Sequence, residues 1–163
     1  MTEEQDQQEH EAAALFASLP PEGQQHALRV LRHMNNRDQW TGSFGWLIGI
    51  HYIEREPGHI TCMIDVDESH YNPAGVAHGG VVYSLIDSAM GGTVHSYLEP
   101  GQRCVTAELK VNYLRPVRAG RITAVANLIQ HGRTLAVVTA EVHNAQDQLV
   151  AIGLGTFAII QRR

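Results

Sequence analysis

Asn72-Pro-Ala-Gly-Val-Ala-His78-Gly79-Gly80 leads without a break into Val81-Val-Tyr-Ser-Leu-Ile-Asp87. A loop rich in turn formers, Asp67 to Ala77, delivers the chain to His78-Gly79-Gly80. A helix is predicted from Gly79 to Leu98, and Pro100-Gly101 ends it. Glycines at a helix start let another atom approach the backbone closely. The first-turn N–H groups have no internal partner and sit at the positive end of the helix dipole. Such a start can hold a developing oxyanion. About two turns on stands Asp87, among Leu85, Ile86, Ala89 and Met90. Aspartate is a poor interior helix residue, and this one is too far along to be a cap. At helical spacing it shares a face with Gly80, Tyr83, Gly91 and Val94. Burying an ionised carboxylate is costly unless it is paired or hydrogen-bonded, so Asp87 is expected to be there for chemistry. The plain alternative is an exposed aspartate on a solvated face.

Strands flank this helix on both sides. Ile50 to Glu56 and His59 to Val66 enclose Pro57-Gly58 and read as a hairpin. After the helix come four strand-like runs, Arg103–Leu114, Arg121–Gln130, Thr134–Asn144 and Leu149–Ile160. In the first, Val105, Ala107, Leu109, Val111 and Tyr113 alternate with Thr106, Glu108, Lys110 and Asn112, which predicts two opposite faces. Short connections predict an antiparallel meander of these four. The fold class is therefore α+β, with about six strands and one long helix. One helix cannot cover both faces of such a sheet, so the sheet wraps around it or pairs with another subunit. A homo-oligomer is expected.

Residues 1–40 read differently. Glu11–Leu19 and Gln24–Met34 look like two short helices broken by Pro20-Pro21. They form a helical extension, packed on the domain or on a partner subunit, or else flexible, before a domain over residues 41–163.

The 163 residues suit one domain, and 44% apolar content is enough for a core. A formal charge of -5 with no basic stripe speaks against nucleic acid as a partner. No apolar run approaches the roughly 20 residues of a membrane span. The acidic, glutamine-rich start lacks the pattern of a signal peptide. Cys62 and Cys104 lie in apolar alternating segments, which reads as two buried thiols in a reducing cytoplasm.

His70, His78 and His95 have no metal-like spacing, so no metal is expected. Ser84 and Ser88 lack a nucleophile-elbow motif around them. His78 is read as orienting backbone or substrate at the helix mouth, or as simply fixing the turn. Gly153-Leu154-Gly155 lies inside a strand with no helix after it, so it does not signal a dinucleotide.

Asn72, Gly75, His78, Gly79, Gly80 and Asp87, at this spacing, resemble the hotdog-fold thioesterases of the phenylacetic-acid-degradation type. The similarity continues through Val105–Pro116, Gly132-Arg133-Thr134 and the last strand, and covers about residues 44 to 160. It implies a curved antiparallel sheet of about six strands wrapped around one long helix, assembled as a homodimer or a dimer-of-dimers tetramer. Its active sites would lie between subunits, the helix start coming from one chain and the acid from the other. It also implies hydrolysis of an acyl-CoA, with no cofactor beyond the CoA of the substrate. Asp87 would act as nucleophile or general base, and the Gly79 N–H would polarise the carbonyl. Asn72 and His78 would orient the carbonyl, the water or the loop, and Thr106 would hold the water. Gly80 and Tyr83 would line the substrate pocket. Arg133 and Arg115, at strand ends and turns, are candidates for the CoA phosphates. The alternatives are a hotdog hydratase or dehydratase, and a non-catalytic acyl-CoA sensor.

Overall fold

The computed structural model describes residues 2–35 and 42–161. Along the chain the elements are α1 (Glu3–Ser18), α2 (Pro21–Asn35), α3 (Gly42–Ile48), β1 (His51–Glu56), β2 (His59–Val66), α4 (Gly79–His95), β3 (Gln102–Tyr113), β4 (Gly120–His131), β5 (Leu135–Asn144) and β6 (Leu149–Gln161). A single 3₁₀ turn, Glu68–His70, lies between β2 and α4. The long helix starts where the sequence places it. It stops at His95 rather than Leu98, and the Ser96 and Tyr97 N–H groups close its last turn. The expected break between extension and domain falls on residues 36–41, outside the described residues.

Six strands form one antiparallel sheet in the order β1-β2-β4-β5-β6-β3. The predicted meander of four strands therefore needs correcting. Only β4-β5-β6 is a meander; β3 pairs with β6 at the edge, and β4 pairs with β2. Connection length could not decide this. Residues 114–119 must cross three strand spacings, about 14 Å. Six extended residues reach about 20 Å, so a short link permits the crossing.

α4 lies against the inner face of this sheet and meets all six strands. Its buried residues include Val82, Leu85, Ile86, Ala89, Met90 and Val94. The facing sheet residues are largely small: Ala124 and Ala126 on β4, Ala136 and Ala140 on β5, Ala151 on β6, all buried. Gly153 and Gly155 continue that row. A Cβ on Gly153 would lie 2.9 Å from Ile86 Cγ2 and 3.0 Å from Met90 Cε, and one on Gly155 would lie 2.9 Å from Met90 Sδ. The Gly-x-Gly of β6 thus serves close helix–sheet contact.

Two helical features were not legible in the residue pattern. α1 begins eight residues before the predicted Glu11, because Thr2 and Gln5 form a capping box that starts it. α3 is short and contains two glycines, which obscures its signal. It ends at Gly49, whose φ of +77° is the left-handed conformation that glycine adopts without strain.

The extension packs on the domain where α2 meets α3 and through charged and aromatic contacts from α2. Arg29 pairs with Asp67, and the His33 ring meets His51 edge-on with centroids 5.9 Å apart. His70 ties α3 to the loop before α4. Its Nδ1 accepts the Asp67 N–H at 3.1 Å, and its Nε2 lies 3.1 Å from the Ile48 carbonyl, to which it donates. Its own carbonyl accepts the His78 N–H at 2.8 Å. No helix among the described residues is long and apolar enough to cross a membrane.

Burial holds the His70 ring below the ordinary histidine range, the Ile48 hydrogen bond partly offsets this, and Arg29 adds to the depression. Asp67 Oδ1 lies 3.3 Å from Nδ1 and would favour a proton there. That nitrogen is already an acceptor, so the neutral ring fits the site. His33 is also held low, by burial first and then by His51, Arg29 and His70, against a raising contact from Trp46. With folded values below the unfolded one, the unfolded chain takes up protons first as pH falls. The stability due to these rings is fully present above about pH 6.5 and is lost below it. The melting temperature should therefore fall between about pH 7.5 and about pH 5, and His70→Gln should flatten that decline. Thermal unfolding at several pH values checks this; a wild-type profile that is flat, or that rises on acidification, contradicts it. Gly153→Ala should cost about 1–3 kcal/mol through overpacking against Ile86 and Met90, measured by the denaturant midpoint.

Candidate active site

Asp87 sits midway along α4, half-buried and turned toward β3. Across the gap, the Thr106 hydroxyl donates to Asp87 Oδ1 at 2.8 Å. Uninterrupted alternation would have turned Thr106 away from the helix, on the face of Lys110 and Asn112. The β3–β6 register shows why it does not. Thr106 stands opposite Phe157, Glu108 opposite Thr156 and Leu109 opposite Gly155, so Ala107 is an extra residue. Phe157 and Gly155 both lie on the inner face of β6. Cys104 and Thr106 before the bulge, and Leu109 and Val111 after it, therefore share the side of α4. The predicted single face running through Val105, Ala107 and Leu109 needs correcting: Val105 is 47% exposed. A bulge re-aims the side chains beside it, and here it brings Thr106 to the carboxylate.

A cleft of about 350 Å³ opens between α4, β1 and β3. Tyr52, Asp87, Ser88, Gly91, Cys104 and Phe157 are among its lining residues. Tyr52 donates its hydroxyl to the Ser88 carbonyl at 2.9 Å, which fixes that wall. Cys62 is buried as expected, whereas Cys104 is only half-buried and lines the cleft. Burial pushes the Cys104 thiol up, and the Asp87 carboxylate nearby pushes it the same way. A thiol held protonated is a poor nucleophile, so Asp87 is the reactive candidate of the pair. Tyr52 and Cys104 carried no sequence signal as site residues; both were placed by pairing across the sheet.

The other end of α4 holds the helix-start group. His78 is the N-cap, and its Nδ1 accepts the Gly80 N–H at 2.9 Å. Gly80 was expected in the substrate pocket; its N–H is engaged by His78, and the residue lines a cleft together with Val81 and Ser84. The donor left to a carbonyl is the N–H of Gly79, the first helical residue. Tyr113 braces that residue by donating its hydroxyl to the Gly79 carbonyl at 3.0 Å. Arg115 lines a second cleft together with Gly79, Val82 and Tyr113, while its guanidinium also bonds the Leu149 carbonyl. Asn72 is committed to the loop: its side-chain oxygen accepts the Ala74 N–H at 2.9 Å. Tyr83 leans toward β3, with its hydroxyl 3.4 Å from the Leu109 carbonyl. Arg133 lies in the β4–β5 turn, near the far end of α4, where Tyr97 meets His131. The two expected CoA contacts, Arg115 and Arg133, thus lie near opposite ends of α4. Among the described residues no three His, Cys, Asp or Glu side chains are grouped to hold a metal ion.

Gly79 and Asp87 are eight residues apart on one straight helix, about 12 Å along its axis. An oxyanion donor and a nucleophile must both come within about 3 Å of the reacting group. One chain alone cannot bring them to the same carbonyl.

Comparison with known proteins adds the following. The thioesterase superfamily profile matches residues 74–151. A Saccharolobus solfataricus protein provisionally described as an esterase is 34% identical over 112 residues, 69% of this chain and 74% of that one. The Escherichia coli PaaI protein of the phenylacetic acid degradation operon has a solved structure with a TM-score of 0.69 and 26% identity, covering 85% of this chain and 96% of that one. A Bacillus halodurans protein crystallised with CoA gives a TM-score of 0.81 and 28% identity, covering 90% and 98%.

Replacing the cap tests the local reading of His78. His78→Ala should destabilise the protein by about 1 kcal/mol, and His78→Asn, a good N-cap, should restore most of that. Equal melting temperatures for the two variants would contradict a capping role.

Proposed function

The chain belongs to the thioesterase superfamily, and from that premise we propose that it hydrolyses an acyl-CoA to the free acid and CoA. The observation that carries this reading is the Thr106–Asp87 hydrogen bond, set in a cleft on the helix whose first residue, Gly79, lines a second cleft at the helix start. Asp87 acts as nucleophile or as general base. In either route the carbonyl carbon gains an oxygen, the carbon–sulfur bond breaks, and the CoA sulfur leaves with the electron pair and takes up a proton. The Gly79 N–H stabilises the oxyanion formed on the way, a contribution typically worth on the order of 10²–10³ in rate. Thr106 fixes the carboxylate rotamer and holds the attacking water. The likeness to a protein crystallised with CoA supports CoA as the carrier. Arg115, in the cleft of Gly79, is the better placed of the two arginines for a CoA phosphate. Free thiols at Cys62 and Cys104 fit a reducing compartment.

The 12 Å separation within one helix makes a second copy part of the site. β3 is an edge strand of twelve residues, and Val105, Tyr113 and Leu114 are exposed along it and just past its end. An antiparallel pairing of two copies along this edge covers those groups. It sets the Gly79 of one copy against the Asp87 of the other.

Three variants test the scheme. Asp87→Asn should lower kcat/KM by two or more orders of magnitude in a free-thiol assay over a panel of acyl-CoAs, in line with the roughly 10²–10⁴ expected of a general base. Gly79→Pro should remove only the donor. Proline suits the first helical position, and His78 already has φ -59° and ψ 137°, which proline requires of its predecessor. Its activity should fall roughly 10²–10³-fold while Gly79→Ala stays active. Mixing and refolding the Asp87→Asn and Gly79→Pro proteins should recover part of the activity, because one site of each mixed dimer is intact. No recovery would place both groups in one chain. Turnover that survives Asp87→Asn would assign the chemistry to another residue. An acyl-CoA that binds saturably to wild type without being hydrolysed would favour the sensor reading.

A further inference from the structure

Two glycines stand side by side in the C-terminal third of α4, and packing explains only one of them. A Cβ on Gly92 would lie 2.8 Å from Tyr52 Cε1 and 3.2 Å from its hydroxyl oxygen. Tyr52 crosses the helix there to reach the Ser88 carbonyl, so no side chain fits at 92. At Gly91 a Cβ would meet Phe157 Cε1 at 3.7 Å, an ordinary contact, and no other described atom within 4 Å. Alanine is the most favourable residue inside a helix, and glycine is among the least. The fold would therefore accept alanine at 91 and gain from it. What alanine would change is the cleft. Gly91 lies one turn beyond Asp87, about 6 Å along the helix axis. It forms the floor of the same cavity, with Phe157, Tyr52 and Cys104 around it. The cavity then continues to His95, about 12 Å from Asp87 along the axis, and to Leu98 just beyond the helix end.

We propose that Gly91 is a specificity-determining position: its absent side chain makes room for the body of an acyl group that runs from the carbonyl at Asp87 along α4 toward Leu98. The acyl class this admits is a ring or a medium-length chain, in contact with Phe157 and Leu98, in preference to acetyl. The inference rests on the thioester-hydrolase reading above. It also gives a reason for glycine, the residue that costs a helix most after proline, at a position where packing does not require it.

The test compares wild type, Gly91→Ala and Gly91→Val on acetyl-, butyryl-, hexanoyl-, octanoyl- and benzoyl-CoA, following thiol release, with thermal unfolding and size-exclusion chromatography of each protein. Gly91→Ala should melt about 2–4 °C above wild type. The ratio of its kcat/KM on the bulkiest acyl-CoA to that on the smallest one hydrolysed by wild type should fall roughly 10–200-fold, the usual effect of one methyl group in a pocket. Gly91→Val should lower that ratio further. Gly92→Ala serves as the control and should lose stability against Tyr52. Unchanged acyl preference in both Gly91 variants, or a Gly91→Ala protein that melts below wild type, overturns the inference and leaves the hydrolase reading standing. Absence of wild-type turnover on every member overturns the hydrolase reading, and this inference with it.

Discussion

The close approach of α4 to a row of alanines and glycines on the sheet governs most of what this protein can do. Gly153 and Gly155 leave Ile86 and Met90 no more room than a missing Cβ provides. Because the helix sits that deep, one face of it is sealed by Val82, Leu85, Ile86 and Ala89. Its opposite face carries Gly80, Ser84, Asp87, Ser88 and Gly91, none of which is fully buried. The helix is thus core on one side and open to a cleft on the other. The site needs no separate scaffold, and its carboxylate is held on a rigid element in the way that precise positioning demands.

Depth alone would leave Asp87 facing an edge strand of unsuitable alternation. The extra residue at Ala107 changes which side chains of β3 meet the helix, and it does so at the point where a hydroxyl is needed. It costs one ladder position on an edge strand, where an unpaired residue is least disruptive. The same strand braces the other end of the helix, where Tyr113 holds the Gly79 carbonyl. β3 therefore touches both Asp87 and Gly79 while standing at the edge of the sheet.

The N-terminal helices reach this machinery through one small set of contacts. His70 bonds the Ile48 carbonyl of α3 with its ring and the His78 N–H with its backbone. The cap of α4 and the seat of the extension thus share a residue. The burial that makes the ring a good neutral hydrogen-bonding group also makes the joint sensitive to acid.

The sequence by itself determined the start of α4, the place of its aspartate, the α+β class and the family resemblance. These depend on local signals: glycines and a cap at a helix mouth, an aspartate in an apolar run, and period-two alternation. His78, Gly79 and Asp87 were legible because each is unusual where it stands. The order of the strands was not legible, since the link from Leu114 to Ala119 is long enough for either partner. Nor was the face of Thr106, because a single inserted residue reverses alternation and leaves no compositional mark. Only the tertiary structure decided that Gly80's N–H is spent on His78, that Arg115 and Arg133 lie apart, that Tyr52 and Cys104 line the cleft, and that Gly92 is demanded by packing while Gly91 is not. Each of these is a contact between segments distant along the chain, and such contacts are set by how the sheet pairs and how deep the helix lies.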